Sequence, residues 1–119
     1  MTELAAKPVG LAFFRGPHDG ADARERLDLA LALAAADWPL SLFFLGPGVQ
    51  LLRRPAVTDE LRDFPAALGT LVMFGVEQIF AEASALERYE LAVDDLRISA
   101  KAVSSAELRS AMDELSCLT

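Results

Sequence analysis

The sequence predicts an α/β domain: a mostly parallel, five-stranded sheet with helices on both faces. Two observations carry this prediction. The runs Val9–Phe14 (VGLAFF) and Leu40–Leu45 (LSLFFL) are short and almost wholly apolar, as strands covered on both faces are. Strand-like and helix-like segments then alternate in the order β-α-β-α-β-α-β-α-β, and such alternation builds parallel sheets wrapped by helices. The length of 119 residues fits a single domain over residues 1–119.

The first strand, Val9–Phe14, runs into the breaker-rich turn Gly16-Pro17-His18-Asp19-Gly20. A helix follows from Asp22 to Ala36, where alanine and leucine favour helix. Asp22 and Glu25 have capping-box spacing, with Asp in place of Ser or Thr. Leu27 and Leu31 share a face with Ala30 and Ala34, small enough to bring the helix close to a sheet. Asp37-Trp38-Pro39 ends it. After the second strand, Gly46-Pro47-Gly48 breaks the chain and Val49–Leu52 begins a short turn or helix. Arg53–Thr58, with Pro55, reads as a polar connector. Leu61, Phe64, Leu68, Leu71 and Val72 recur at helical spacing, predicting a helix from Asp59 or Pro65 to Phe74 with Gly75 at C′. Val76–Ala81 predicts the third strand, Ala83–Tyr89 a short helix and Leu91–Asp95 a loop. Leu96, Ile98 and Ala100 alternate with Arg97, Ser99 and Lys101, which predicts an edge strand. Ser104 or Ser105 caps a helix to Asp113 with Glu107 in its first turn, and Leu115–Leu118 is the last strand.

Composition narrows the function. Hydrophobic residues make up 53% of the chain and mean hydropathy is +0.30, which excludes a disordered polymer. A net charge of −7 offers no bulk attraction to a phosphate backbone, so direct nucleic-acid binding is not expected. Cys117 is the only cysteine, which excludes an internal disulfide and multi-cysteine zinc patterns. The apolar windows Leu27–Ala36 and Leu40–Leu45 are separated by Asp37 and Pro39, and each is far shorter than the roughly 20 residues that cross a bilayer. Met1–Lys7 lacks the apolar stretch of a signal peptide, so a cytoplasmic location without a membrane partner is expected.

Residues with chemical potential are few. The Arg15–Ala21 loop sits where doubly wound sheets bind ligands, but it has no Gly-x-Gly-x-x-Gly and no Walker lysine, and Asp19 and Asp22 repel phosphate. His18, the single histidine, has no constellation of partners and reads as a turn residue. Cys117 has acidic neighbours, Asp113 and Glu114, and reads as a buried structural thiol. Asp59, Glu60 and Asp63 stand with Arg62 on a solvated helix face, and Asp94-Asp95 reads as a loop. The seven phenylalanines, Phe13, Phe14, Phe43, Phe44, Phe64, Phe74 and Phe80, are more than a small domain can hide, so some are expected to face a partner.

An ordered series of short segments carries a resemblance over nearly the whole chain, from Val9 onward. Pro17-His18 follows the first strand. Ala23-Arg24-Glu25-Arg26-Leu27-Asp28 opens the helix. Phe44-Leu45 runs into Gly48-Val49-Gln50-Leu51, and Met73-Phe74-Gly75-Val76-Glu77-Gln78-Ile79 follows. Ser84-Ala85-Leu86-Glu87-Arg88 leads to Leu91 and Asp94-Asp95-Leu96. This series resembles the DsrE/DsrF-like sulfur relay family, and within it the TusC/DsrF branch. The resemblance implies a flavodoxin-like three-layer sandwich. It also implies a heterohexamer with TusD/DsrE-like and TusB/DsrH-like subunits that relays persulfide sulfur, toward 2-thiouridine at the tRNA wobble position or in sulfur oxidation. The sulfur-carrying cysteine of the TusD/DsrE relatives then falls near Glu82, within the cysteine-free segment Phe80-Ala81-Glu82-Ala83-Ser84. A carboxylate cannot carry a persulfide, so the resemblance implies a non-catalytic subunit linked indirectly to a tRNA-thiolating enzyme. No catalytic residue, cofactor or metal is assigned, and the interface residues stay open. Two departures stand out: Gly46-Pro47 where relatives often have acidic residues, and Glu90 where they usually have glycine. Other readings remain: a DsrEFH-type subunit in sulfur oxidation, a self-sufficient sulfurtransferase using Cys117, or a small-molecule binder using Arg15–Ala21.

Overall fold

The computed structural model describes residues 8–54 and 64–118. Strand β1 (Val9–Phe13) leads to helix α1 (Asp22–Ala35) and strand β2 (Leu40–Phe44). A 3-10 segment at Gly46–Leu52 and a 3-10 turn at Phe64–Ala66 precede α2 (Ala67–Met73). Then come β3 (Gln78–Glu82), α3 (Ala83–Arg88), a 3-10 turn at Val93–Asp95, β4 (Lys101–Val103), α4 (Ser105–Asp113) and β5 (Ser116–Leu118). The sheet has five strands in the order β4-β3-β2-β1-β5, and every pairing is parallel.

This strand order dictates where the helices lie. A crossover between parallel strands is right-handed, so successive steps in one direction place their helices on one face. The steps β1→β2→β3→β4 all move the same way, and α1, α2 and α3 share one core with Leu11, Phe13, Leu42, Phe44 and Ile79. The return from β4 to β5 reverses direction, and α4 lies on the opposite face, packing Leu108 against Ala12, Phe43 and Val103. The three-layer α/β expectation therefore holds, with the helices split three to one among the described residues.

Both cores are built from the two apolar runs. Alternate residues of β2 point to opposite faces: Phe44 stacks on Phe13 at 4.9 Å between centroids, and Phe43 stacks on Phe80 at 5.5 Å. Phe13, Phe43 and Phe44 are fully buried, each stabilising the fold by about 1.5–3 kcal/mol through removal from water. Ala23, Ala30 and Ala34 are buried beside Leu27, so α1 lies close on the sheet as its small residues predict.

Several local expectations are corrected. Ala21, not Asp22, is the N-cap of α1 and supplies no side-chain cap; Asp22 instead pairs with Arg26 at 3.2 Å, one turn on. The third strand begins at Gln78 because the Val76 N–H bonds back to Leu71 O at 3.1 Å, closing α2. The expected edge strand exists but starts late: Leu96 forms one antiparallel bridge with Arg53, Ser99 and Ala100 are not in the ladder, and β4 begins only at Lys101. The expected start of α2 at Asp59, and the charged face of Asp59, Glu60, Arg62 and Asp63, lie outside the described residues.

Candidate functional site at the carboxyl edge of the sheet

Open α/β sheets bind ligands outside the carboxyl ends of their strands, where neighbouring strands send their connections to opposite faces. In this sheet that happens between β3, which leads to α3, and β4, which leads to α4. Glu82 is the last residue of β3 and the N-cap position of α3. It stands at the mouth of this crevice, in register with Val103 of β4.

The Glu82 carboxylate spans the crevice. Its Oε1 accepts a hydrogen bond from the Gly46 N–H at 3.1 Å, and its Oε2 accepts one from the Ser105 hydroxyl at 2.8 Å. One side chain thus ties the end of β3 to the turn after β2 and to the first residue of α4. Of the two predicted cap candidates, Ser104 and Ser105, it is Ser104 that caps α4, accepting from the Glu107 N–H at 3.1 Å while its hydroxyl donates to Glu107 Oε1. Ser105 is thereby left for Glu82. The arrangement holds loops together, and among the described residues it places no thiol in the crevice.

Gly48 fixes the neighbouring turn. A Cβ at this residue would lie 1.9 Å from the Phe13 carbonyl oxygen, so only glycine allows the 3-10 segment to rest on the end of β1. The Leu45 N–H bonds the same oxygen at 3.0 Å, which locks the two strand ends in line. The first loop is also self-contained: Asp19 Oδ2 accepts from the Gly16 N–H at 2.9 Å. Asp19 and Asp22 flank Arg15 around a shallow depression, and His18 is exposed.

Cys117 is far from this edge along the sheet. It lies in β5 opposite Gly10, whereas Ala81 aligns through Phe44 with Phe13, so Glu82 stands four residues higher. That is about 13 Å along the strands, with three strand spacings of about 4.8 Å across them. The expectation that Cys117 is a buried thiol concerns a side chain outside those described.

The family model for the DsrE/DsrF-like family matches residues 7–116. The chain belongs to the DsrE/DsrF-like family. It is 35% identical to the protein TusC homolog of Pseudomonas aeruginosa, over 80% of this chain and 82% of that one. It is 38% identical to the protein TusC of Klebsiella pneumoniae, over 69% of this chain and 71% of the relative. The TusC homolog of Aliivibrio fischeri is 28% identical over 89% and 92% of the two chains. The crystal structure of the ychN protein from E. coli has the same fold, with a TM-score of 0.80 at 16% identity, covering 93% of this chain and 96% of that one. Within this DsrE/DsrF-like chain, the Glu90 departure keeps the turn that glycine would give. Glu90 has φ +55°, and the next N–H, of Leu91, bonds Leu86 O at 2.8 Å.

No group of three or more metal-ligating side chains occurs among the described residues of this DsrE/DsrF-like chain, and none of its described helices is long and apolar enough to cross a membrane. The sequence by itself gives Glu82 no role. Its bonds to Gly46 and Ser105 depend on the reversal of strand order, which no local pattern signals.

Proposed function

We propose that this chain is a non-catalytic subunit of a TusBCD-type sulfur relay complex. In this role it holds TusD/DsrE-like and TusB/DsrH-like subunits and so supports persulfide transfer toward wobble-uridine 2-thiolation of tRNA. One observation carries the proposal: the crevice where sulfur chemistry is implied by the family resemblance is spanned by the Glu82 carboxylate, engaged with Gly46 and Ser105. A carboxylate with both oxygens engaged neither attacks a persulfide nor carries one. The similarity to TusC proteins over most of the chain supports the relay role.

The test is reconstitution with the sister subunits. Cys117→Ser is expected to leave sulfur relay to the acceptor unchanged. Mass spectrometry of the isolated chain after treatment with a persulfide donor is expected to show no transferable sulfur. Loss of relay in a well-folded Cys117→Ser complex, or sulfur on the isolated chain that passes to an acceptor, overturns the proposal. A relay that feeds a sulfur-oxidising enzyme instead of a tRNA-thiolating one redirects the pathway to the DsrEFH type.

A further inference from the structure

The opposite edge of the sheet carries an apolar surface that the described residues leave exposed. Met73 is 87% exposed, Phe74 53% and Val72 43%, all in the last turn of α2 and its cap. Trp38, just past α1, is 40% exposed and lines one groove with Phe74. Helix α1 packs beside α2, and its stretch Leu29–Ala36 contains no polar side chain although only one stripe of it is buried; Leu29 is 40% exposed. A helix segment apolar around its circumference favours further packing against another surface.

The two aromatic anchors are held in place. Asp37 adopts φ +62° at the end of α1, and the Trp38 N–H bonds Leu33 O at 3.0 Å. Gly75 adopts φ +95° after Phe74, whose N–H bonds Thr70 O at 3.0 Å. With the backbone beneath them fixed, aromatic side chains have few rotatable bonds and lose little freedom on binding.

Charge selects the occupant. Among the described residues, those bearing charge on the groove are Asp37 and Glu77, both carboxylates. A second copy seated on the same face would bring four carboxylates together in a drying interface, and an anionic lipid surface or nucleic acid would be repelled. We infer that this surface docks a different protein chain, whose contact face is apolar and rimmed by lysine or arginine. The inference rests on the proposed role as an assembly subunit and names the surface and chemistry of one of its contacts.

The test uses the complex co-expressed with the sister DsrE/DsrF-like subunits. Met73→Asp and Phe74→Asp alter exposed side chains and are expected to weaken association at least about tenfold with helical content unchanged. Asp37→Asn with Glu77→Gln is expected to slow association and flatten its salt dependence. A photo-crosslinker at position 73 is expected to mark a sister subunit at a segment bearing Lys or Arg. Unchanged association of the Met73 and Phe74 variants overturns this surface while the proposed function stands. Failure of the wild-type chain to join any sister subunit overturns the proposed function and this inference with it. Self-association abolished by Met73→Asp, or crosslinks to residues 1–7 of the same chain, overturns the named occupant.

Discussion

The Ser105 hydroxyl donates to Glu82 Oε2 at 2.8 Å, joining the end of β3 to the start of α4 across the point where the sheet reverses its winding. The same carboxylate receives the Gly46 N–H, so its removal frees two loops at once. Glu82→Ala is expected to cost about 1–2 kcal/mol, a charged hydrogen-bond pair discounted for partial exposure. Ser105→Ala is expected to cost about 0.5–1 kcal/mol. Urea denaturation of the two variants and their double mutant should reveal a favourable coupling; strict additivity would show that the bridge is absent in solution.

Glu90 occupies a backbone region that disfavours residues with a Cβ, at φ +55°. Glu90→Gly relieves that strain while loosening the unfolded chain, for an expected net gain of about 0.5–1 kcal/mol. A higher thermal midpoint checks it. A lower one would mean that the Glu90 side chain contributes more than its backbone costs.

Two glycines predict opposite outcomes. Gly48→Ala drives a methyl into the Phe13 carbonyl and is expected to cost about 3 kcal/mol or more. Gly69 lies within α2, where an added methyl would meet only open space, so Gly69→Ala is expected to stabilise by up to about 1 kcal/mol. Denaturant midpoints of the pair separate a close-approach glycine from one that merely weakens a helix.

Helix α4 presents Leu108 as its fully buried residue, and it alone among the described helices covers its face of the sheet. Leu108→Ala is expected to cost about 2–5 kcal/mol and to raise amide exchange in α4 above that in α1. Uniform loosening of both faces would show that the two cores fail as one unit.

The two central strands were legible because both faces are covered, which makes Val9–Phe13 and Leu40–Phe44 continuous apolar runs. The cap of α4 was legible to within one residue, Ser104 or Ser105, and the structure selects Ser104, three residues before Glu107. Leu96–Ala100 misled because apolar and polar residues alternate there without a ladder: Leu96 enters the core while the Arg97 N–H bonds Leu52 O. Asp22 misled because its carboxylate met Arg26, a partner one turn away. Phe14 and Phe74 are exposed while Phe13, Phe43 and Phe44 are buried: the exposed pair lie just past β1 and at the cap of α2, outside the covered strands, a difference that composition does not signal. The Glu82 bridge joins residues 36 and 23 positions apart, so only the assembled topology brings them together.

Strand β1 is flanked by β2 on one side and β5 on the other, so the earliest strand to be synthesised is completed by the latest. While the nascent polypeptide emerges from the ribosome, one hydrogen-bonding edge of β1 stays open until residues 116–118 have been translated. A chain ending before residue 116 therefore keeps that edge of β1 unpaired, and such a product is expected to aggregate more readily than the full sequence.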